Sequence, residues 1–215
     1  MKSKSVKQMR RNLNLNGVIR NLKSKGIMFF SFIIFSFLLS SCAHTKGSKL
    51  YPETDYPLTR DSAYSASTSL SLRVPKGWTS AEDKDCKCID LWLIRGDFSA
   101  TINLFTLENV SAALEQHPEE DTLKTVLEFS KGLKKAHLKD KFKQVQQDEF
   151  FALNKRNFGA YEYEGDEGLP VRVVVFLYKG KFFELAALPT SSVGKRAVEP
   201  KELFKVQQSI LTSIN

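Results

Sequence analysis

Val173-Val174-Val175-Phe176-Leu177 is an unbroken apolar run in a segment of strand length, bounded by Gly168 before it and by Lys179-Gly180-Lys181 after it. Side chains of a strand point to opposite faces at each step. A half-exposed strand therefore alternates apolar with polar residues, and a strand apolar at every position is one covered on both faces. The chain must supply a sheet and something to pack on each side of it. Lys179-Gly180-Lys181 turns the chain straight back into Phe182, Phe183, Leu185 and Leu188, which makes a hairpin and hence antiparallel pairing.

The neighbouring segments fill in the sheet. Leu70, Leu72 and Val74 alternate with Ser71 and Arg73, a period-2 strand ended by the turn residues Pro75-Lys76-Gly77 before Trp78. Ile89, Leu91 and Leu93 share one face. After Gly96-Asp97 the alternation resumes with Ala100, Ile102 and Leu104, so residues 89–107 read as a hairpin. Val145 to Leu153 and Asn157 to Tyr163 form a further pair around Asn154-Lys155, and Gly165-Asp166-Glu167-Gly168 is a turn. Two segments change to helical periodicity. One covers about 119–137, with Leu123, Val126, Leu127 and Leu133 as its stripe. Acids stand at its start and Lys131, Lys134 and Lys135 at its end, a charge order that suits the helix dipole. The other opens at Glu199-Pro200, with proline at a first-turn position that needs no N–H, and carries Leu203, Val206, Ile210, Leu211 and Ile214. The fold class is α+β, an antiparallel sheet with helices packed on it.

The N-terminal region has a different logic. From Ile27 to Leu39 there is no charge, and only Ser31 and Ser36 interrupt the apolar residues. A spanning helix needs about 20 apolar residues, whereas an export signal needs about 7–15 between a basic region and small residues. Lys2 to Lys25 supply the basic region. Met28 as a start would delete it, which puts the start at Met9 or earlier. Leu39-Ser40-Ser41-Cys42 then resembles the lipobox of a bacterial lipoprotein precursor. That resemblance implies cleavage between Ser41 and Cys42, a covalent lipid such as palmitate on the Cys42 thiol, and attachment to the membrane through it. An uncleaved signal anchor is the alternative reading of the same segment, and it too places the remainder outside the cytoplasm. If the cell has two membranes, Ala43 resembles the sorting pattern for the outer one.

The leader also explains the charge. The chain carries 32 Lys and Arg against 24 Asp and Glu, but eight of the basic residues and none of the acids lie in residues 1–41. Residues 42–215 therefore balance 24 against 24. The electrostatic footprint of a nucleic-acid-binding protein is absent from the mature part. Residues 42–69, polar and broken by Gly47, Pro52 and Pro57, read as lipid anchor and flexible tether, with an edge strand near Tyr64 as an option. Residues 70–215 read as one domain.

The order of strand, Val74-Pro75-Lys76-Gly77-Trp78, hairpin, long helix, β-meander with one nearly all-apolar strand, and closing helix resembles the PsbP-like fold. Small envelope lipoproteins of the DcrB-like group are similar in the same way. The resemblance implies an α/β/α sandwich that binds a partner protein or supports assembly of an envelope complex, and it implies no catalytic residue and no cofactor. Trp78 reads as a cover for the open end of the core, since large aromatics are mostly buried.

Few other residues point to chemistry. Cys86-Lys87-Cys88 places two thiols two residues apart, suited to a soft ion such as Cu(I), to a small disulfide, or to two plain thiols entering the strand at Ile89. Metal handling or thiol exchange through Cys86 and Cys88 is thus the alternative function. A structural zinc site wants four ligands, and His44, His117 and His137 are far apart in sequence. Glu82-Asp83-Lys84-Asp85 and Asp166-Glu167 could hold a hard cation, but the first lacks the glycine and closing glutamate of a calcium loop, and both suit solvated turns. Neither a Gly-x-Ser-x-Gly elbow nor a phosphate-binding glycine loop occurs. The sequence expectation is a non-enzymatic envelope protein.

Overall fold

The computed structural model describes residues 51–81, 89–116, 121–165, 168–190 and 198–215. Ten strands follow in chain order: β1 (Leu58–Tyr64), β2 (Ser71–Pro75), β3 (Trp78–Ala81), β4 (Leu91–Arg95), β5 (Ala100–Thr106), β6 (Lys143–Gln144), β7 (Glu149–Leu153), β8 (Arg156–Glu164), β9 (Pro170–Tyr178) and β10 (Lys181–Pro189). Helices α1 (Val110–Gln116) and α2 (Thr122–Leu138) lie between β5 and β6, and α3 (Pro200–Leu211) follows β10. The main sheet runs β3-β4-β5-β10-β9-β8-β6, with β7 also on β8, and β1 pairs β2 in a small second sheet. All pairings are antiparallel. Two meanders, β3 to β5 and β7 to β10, are thus joined along β5 and β10 after α1 and α2 have crossed one face.

The apolar strand sits where its composition requires. Val174, Phe176 and Tyr178 of β9 enter a core cluster with Phe158, Phe183, Leu185, Leu203, Phe204 and Ile210. Val171, Val173 and Val175 enter a second cluster on the opposite face with Val126, Leu127 and Tyr161. The α3 helix and the β1–β2 pair cover the first face, and α1 with α2 cover the second. Each fully buried Phe or Val contributes about 1.5–3 kcal/mol of hydrophobic stabilisation. Gly159 of β8 lets α2 come close: a Cβ there would stand 3.3 Å from Phe150 Cε1 and 3.4 Å from Leu127 Cδ1. In the Pro75-Lys76-Gly77-Trp78 turn, Gly77 takes φ +83°, a conformation that glycine adopts at no steric cost. Trp78 follows it into the core, 6% exposed, the structural place expected for it.

The hairpins fall where the turn residues put them. Asn154-Lys155 and Lys179-Gly180 both have positive φ at each central residue, the backbone that a tight two-residue hairpin needs. The α3 stripe of Leu203, Val206, Ile210, Leu211 and Ile214 is buried throughout. Four expectations need correction. The edge strand offered near Tyr64 is present as β1, paired with β2, but the tether before it is not free along its length, since Tyr51, Tyr56 and Leu58 pack against the core. Its scattered aromatics find a ready surface on α3, which a count of polar residues does not reveal. The α2 helix begins after Asp121, whose Oδ1 accepts from the Leu123 amide at 2.8 Å, because that side chain satisfies an end amide. Leu133 is 49% exposed; it lies at the margin of the stripe, beside Phe129 and Leu107, and Ser130 takes the central buried position. Finally α1 and β3 add elements too short to show a period.

Candidate functional site

Two buried polar constellations flank β9 and its neighbours, one on each face of the sheet. On the α3 face, Arg172 of β9 is fully buried. Its Nη2 donates to Glu149 Oε2 of β7 at 2.9 Å, and its Nη1 donates to Gln207 Oε1 at 2.9 Å and Gln208 Oε1 at 3.2 Å, both on α3. Gln207 Nε2 returns to the Leu185 and Arg172 carbonyls. The guanidinium lies under the ring of Tyr51, 5.0 Å from its centre, and 5.5 Å from that of Phe151. Glu162 of β8 completes the group, standing opposite Arg172 in the β8–β9 pairing and close enough to Tyr51 for each to shift the other's titration.

Burial dominates the electrostatics there. It pushes the Glu162 carboxyl above the usual carboxylate range against the opposing pull of the Tyr51 hydroxyl and Arg172, with Glu149 adding to the rise. Burial and the Glu162 charge raise the Tyr51 phenol. Burial lowers Arg172, and the pairing with Glu149 offsets that. Among the described residues, Arg172 Nε, Glu162 Oε1 and Gln208 Nε2 are buried without a hydrogen-bond partner. A half-satisfied buried network of this kind is costly.

On the α2 face, Ser130 donates to Glu184 Oε2 at 2.7 Å and stands 2.9 Å from the Tyr161 hydroxyl. Lys134 Nζ reaches Glu184 Oε1 at 2.5 Å. Lys131 Nζ contacts Asp148 Oδ2 at 2.6 Å and Glu128 Oε1 at 2.8 Å. Burial works against the Lys131 ammonium, but the two carboxylates outweigh it and hold it above its usual value. Burial, then the Glu184 charge, raises the Tyr161 phenol. Ser130 is fully buried, so the hydroxyl meets its neighbours and not a substrate. Beside this cluster, Lys134, His137, Leu138, Tyr163, Val171 and Leu188 line a groove of about 350 Å³.

Of the residues singled out in the sequence, His137 reaches this groove from the last turn of α2, and Trp78 is buried. Ser41, Cys42, Cys86, Cys88, His44, His117, Glu82 to Asp85, Asp166 and Glu167 lie outside the described residues. Among the described residues, no three His, Cys, Asp or Glu side chains stand together as a metal site, and no helix is long and apolar enough to cross a membrane. The sequence reading missed Arg172, Glu149, Glu162 and Glu184. A signal existed for Arg172 and Glu184, since each charge interrupts an apolar stretch buried on both faces, where an unpaired ion is not tolerated.

No family model matches the chain, and no curated protein matches it. Among solved structures, the solution structure of cyanobacterial PsbP (CyanoP) from Synechocystis sp. PCC 6803 is similar, with a TM-score of 0.46 and 15% sequence identity over 68% of this chain and 85% of that one.

Proposed function

We propose that this chain is a lipoprotein precursor, cut between Ser41 and Cys42, whose α+β domain is held at the cell envelope by lipid on Cys42 and works by binding another envelope protein. The observation that carries this reading is the basic leader, the uncharged run from Ile27 to Leu39 and Leu39-Ser40-Ser41-Cys42 in direct succession. Two or more acyl chains suffice for stable attachment. The charge balance of residues 42–215 speaks for a protein partner over nucleic acid. The polar side chains gathered in the two constellations are turned largely on one another, which supports a binding role over covalent chemistry. If there are two membranes, Ala43 favours the outer one.

Crosslinking in intact cells tests the reading. The wild-type chain should yield the same crosslinked protein after Cys86→Ser/Cys88→Ser, and should lose both membrane fractionation and the crosslink after Cys42→Ser. Loss of the phenotype with the double serine variant, at unchanged membrane attachment, would move the function to metal handling or thiol exchange.

A further inference from the structure

Residues 51–56, Tyr-Pro-Glu-Thr-Asp-Tyr, lie along α3 in the manner of a bound peptide. Tyr51 is its anchor, with its ring over the Arg172 guanidinium and edge-on to Phe204 at 5.1 Å and 78°. Lys205 clamps the two acids, its Nζ 3.1 Å from Glu53 Oε2 and 2.9 Å from Asp55 Oδ1. The Tyr56 amide donates to Ser209 Oγ at 3.1 Å. Strand pairing with β2 begins only at Leu58. The segment is thus held at its two ends by Tyr51 and Tyr56, which pack against the core, with the Tyr56 hydroxyl also donating to the Lys76 carbonyl at 3.1 Å. Between them it is held by ion pairs at a partly exposed lysine, and exposed pairs are weak and salt-screened. What lies beneath it is rigid by contrast: a helix, a central strand, and a buried guanidinium with its unpartnered Nε. An aromatic face over a cation and acids near a lysine define a recognition pattern, with the aromatic anchor setting most of the affinity.

We propose that the α3 surface around Arg172, Phe204 and Lys205 is a docking site for an extended aromatic–acidic peptide of a partner protein, and that residues 51–56 occupy it as an internal competitor. This rests on the reading of the domain as a binding module and names the chemistry of its partner. A partner segment with an aromatic residue followed by acids two and four positions later displaces the strap and reproduces its contacts. The strap scales the apparent affinity of the site down by the fraction of time it is open.

The test uses the full processed chain in detergent and a fluorescein-labelled Tyr-Pro-Glu-Thr-Asp-Tyr peptide. Tyr51→Ala should bind the peptide at least tenfold tighter than wild type by anisotropy. Adding Lys205→Glu should abolish that binding, salt should weaken it, and a peptide with alanine in place of its first tyrosine should not bind. Because Tyr51→Ala uncovers a buried cation, hydrogen exchange is measured on the wild type as well: excess peptide should speed exchange at the Tyr56 amide, and a scrambled peptide should not. Equal affinity for wild type and a folded Tyr51→Ala, or unchanged Tyr56 exchange at saturating peptide, overturns the proposal. If Lys205→Glu keeps the crosslinked partner of the intact cell, the partner uses another face and only the docking site fails.

Discussion

The two faces of the central sheet bury charge in different ways. On the α3 face, Arg172 and its carboxylate partner Glu149 are both removed from water, at 0% and 4% side-chain exposure, and Tyr51 closes the cluster from outside. On the α2 face Glu184 and Lys131 are deep, at 2% and 5% side-chain exposure, but their ion-pair partners reach water: Lys134 and Asp148 are about one quarter exposed and Glu128 one half, and the Lys134 stem lets its ammonium sit at the rim. The first arrangement cannot relax if one partner is lost. The second can, because a lysine can turn to solvent. A sheet that holds its charges in these two ways is fixed in register by one face and cushioned on the other.

The largest expected effect comes from breaking the rigid side. Arg172→Ala leaves Glu149 and Glu162 buried without their cation, and urea denaturation should show a loss of about 3–5 kcal/mol. Arg172→Met with Glu149→Leu should recover most of it, since removing both charges avoids the stranded ion. If the double variant is no better than the single, the pair is not what costs. Next in size, Ser130→Ala removes a buried donor to Glu184 and should cost about 1–3 kcal/mol; a loss as large as that of Arg172→Ala would erase the contrast between the faces. Smaller again is Lys131→Met, expected at about 1 kcal/mol because Asp148 and Glu128 keep access to water.

The pH dependence sharpens the comparison further. The Glu162 carboxyl titrates above its ordinary value of 4.5 in the folded chain, through burial first. The folded state therefore holds a proton that the unfolded chain has released, and stability falls as pH rises from about 4.5 through the folded value. Glu162→Gln should flatten that part of a thermal-unfolding profile. An unchanged slope would mean that Glu162 is not the group responsible.

Much of the sheet was legible because its strands carry strong local signals. The apolar run of β9, the alternations of β2, β4 and β5, and the paired turns at Asn154-Lys155 and Lys179-Gly180 each determine an element by themselves. The α3 stripe did so as well. What escaped was everything fixed by contact at long range. Tyr51 and Phe204 meet across most of the chain, and nothing near Tyr51 announces it. The packing of Tyr51 and Tyr56 on α3 is a tertiary event, and a polar stretch that cannot build a core by itself carries no local sign that it joins one. Arg172 and Glu184 were visible as charges in buried strands, but their partners Gln207 and Ser130 sit on helices whose docking the sequence pattern does not specify. Cys42, Cys86 and Cys88 stay where the sequence put them, outside the described residues.

The central claim is that a lipid-bearing cysteine tethers this folded domain to the envelope. Intact mass spectrometry of the protein extracted from membranes of its own cell type tests it most directly. The account predicts a chain that begins at Cys42, lacks residues 1–41 and carries the added mass of acylated glyceryl thioether on that residue. A chain that retains residues 1–41 and bears no lipid would contradict it.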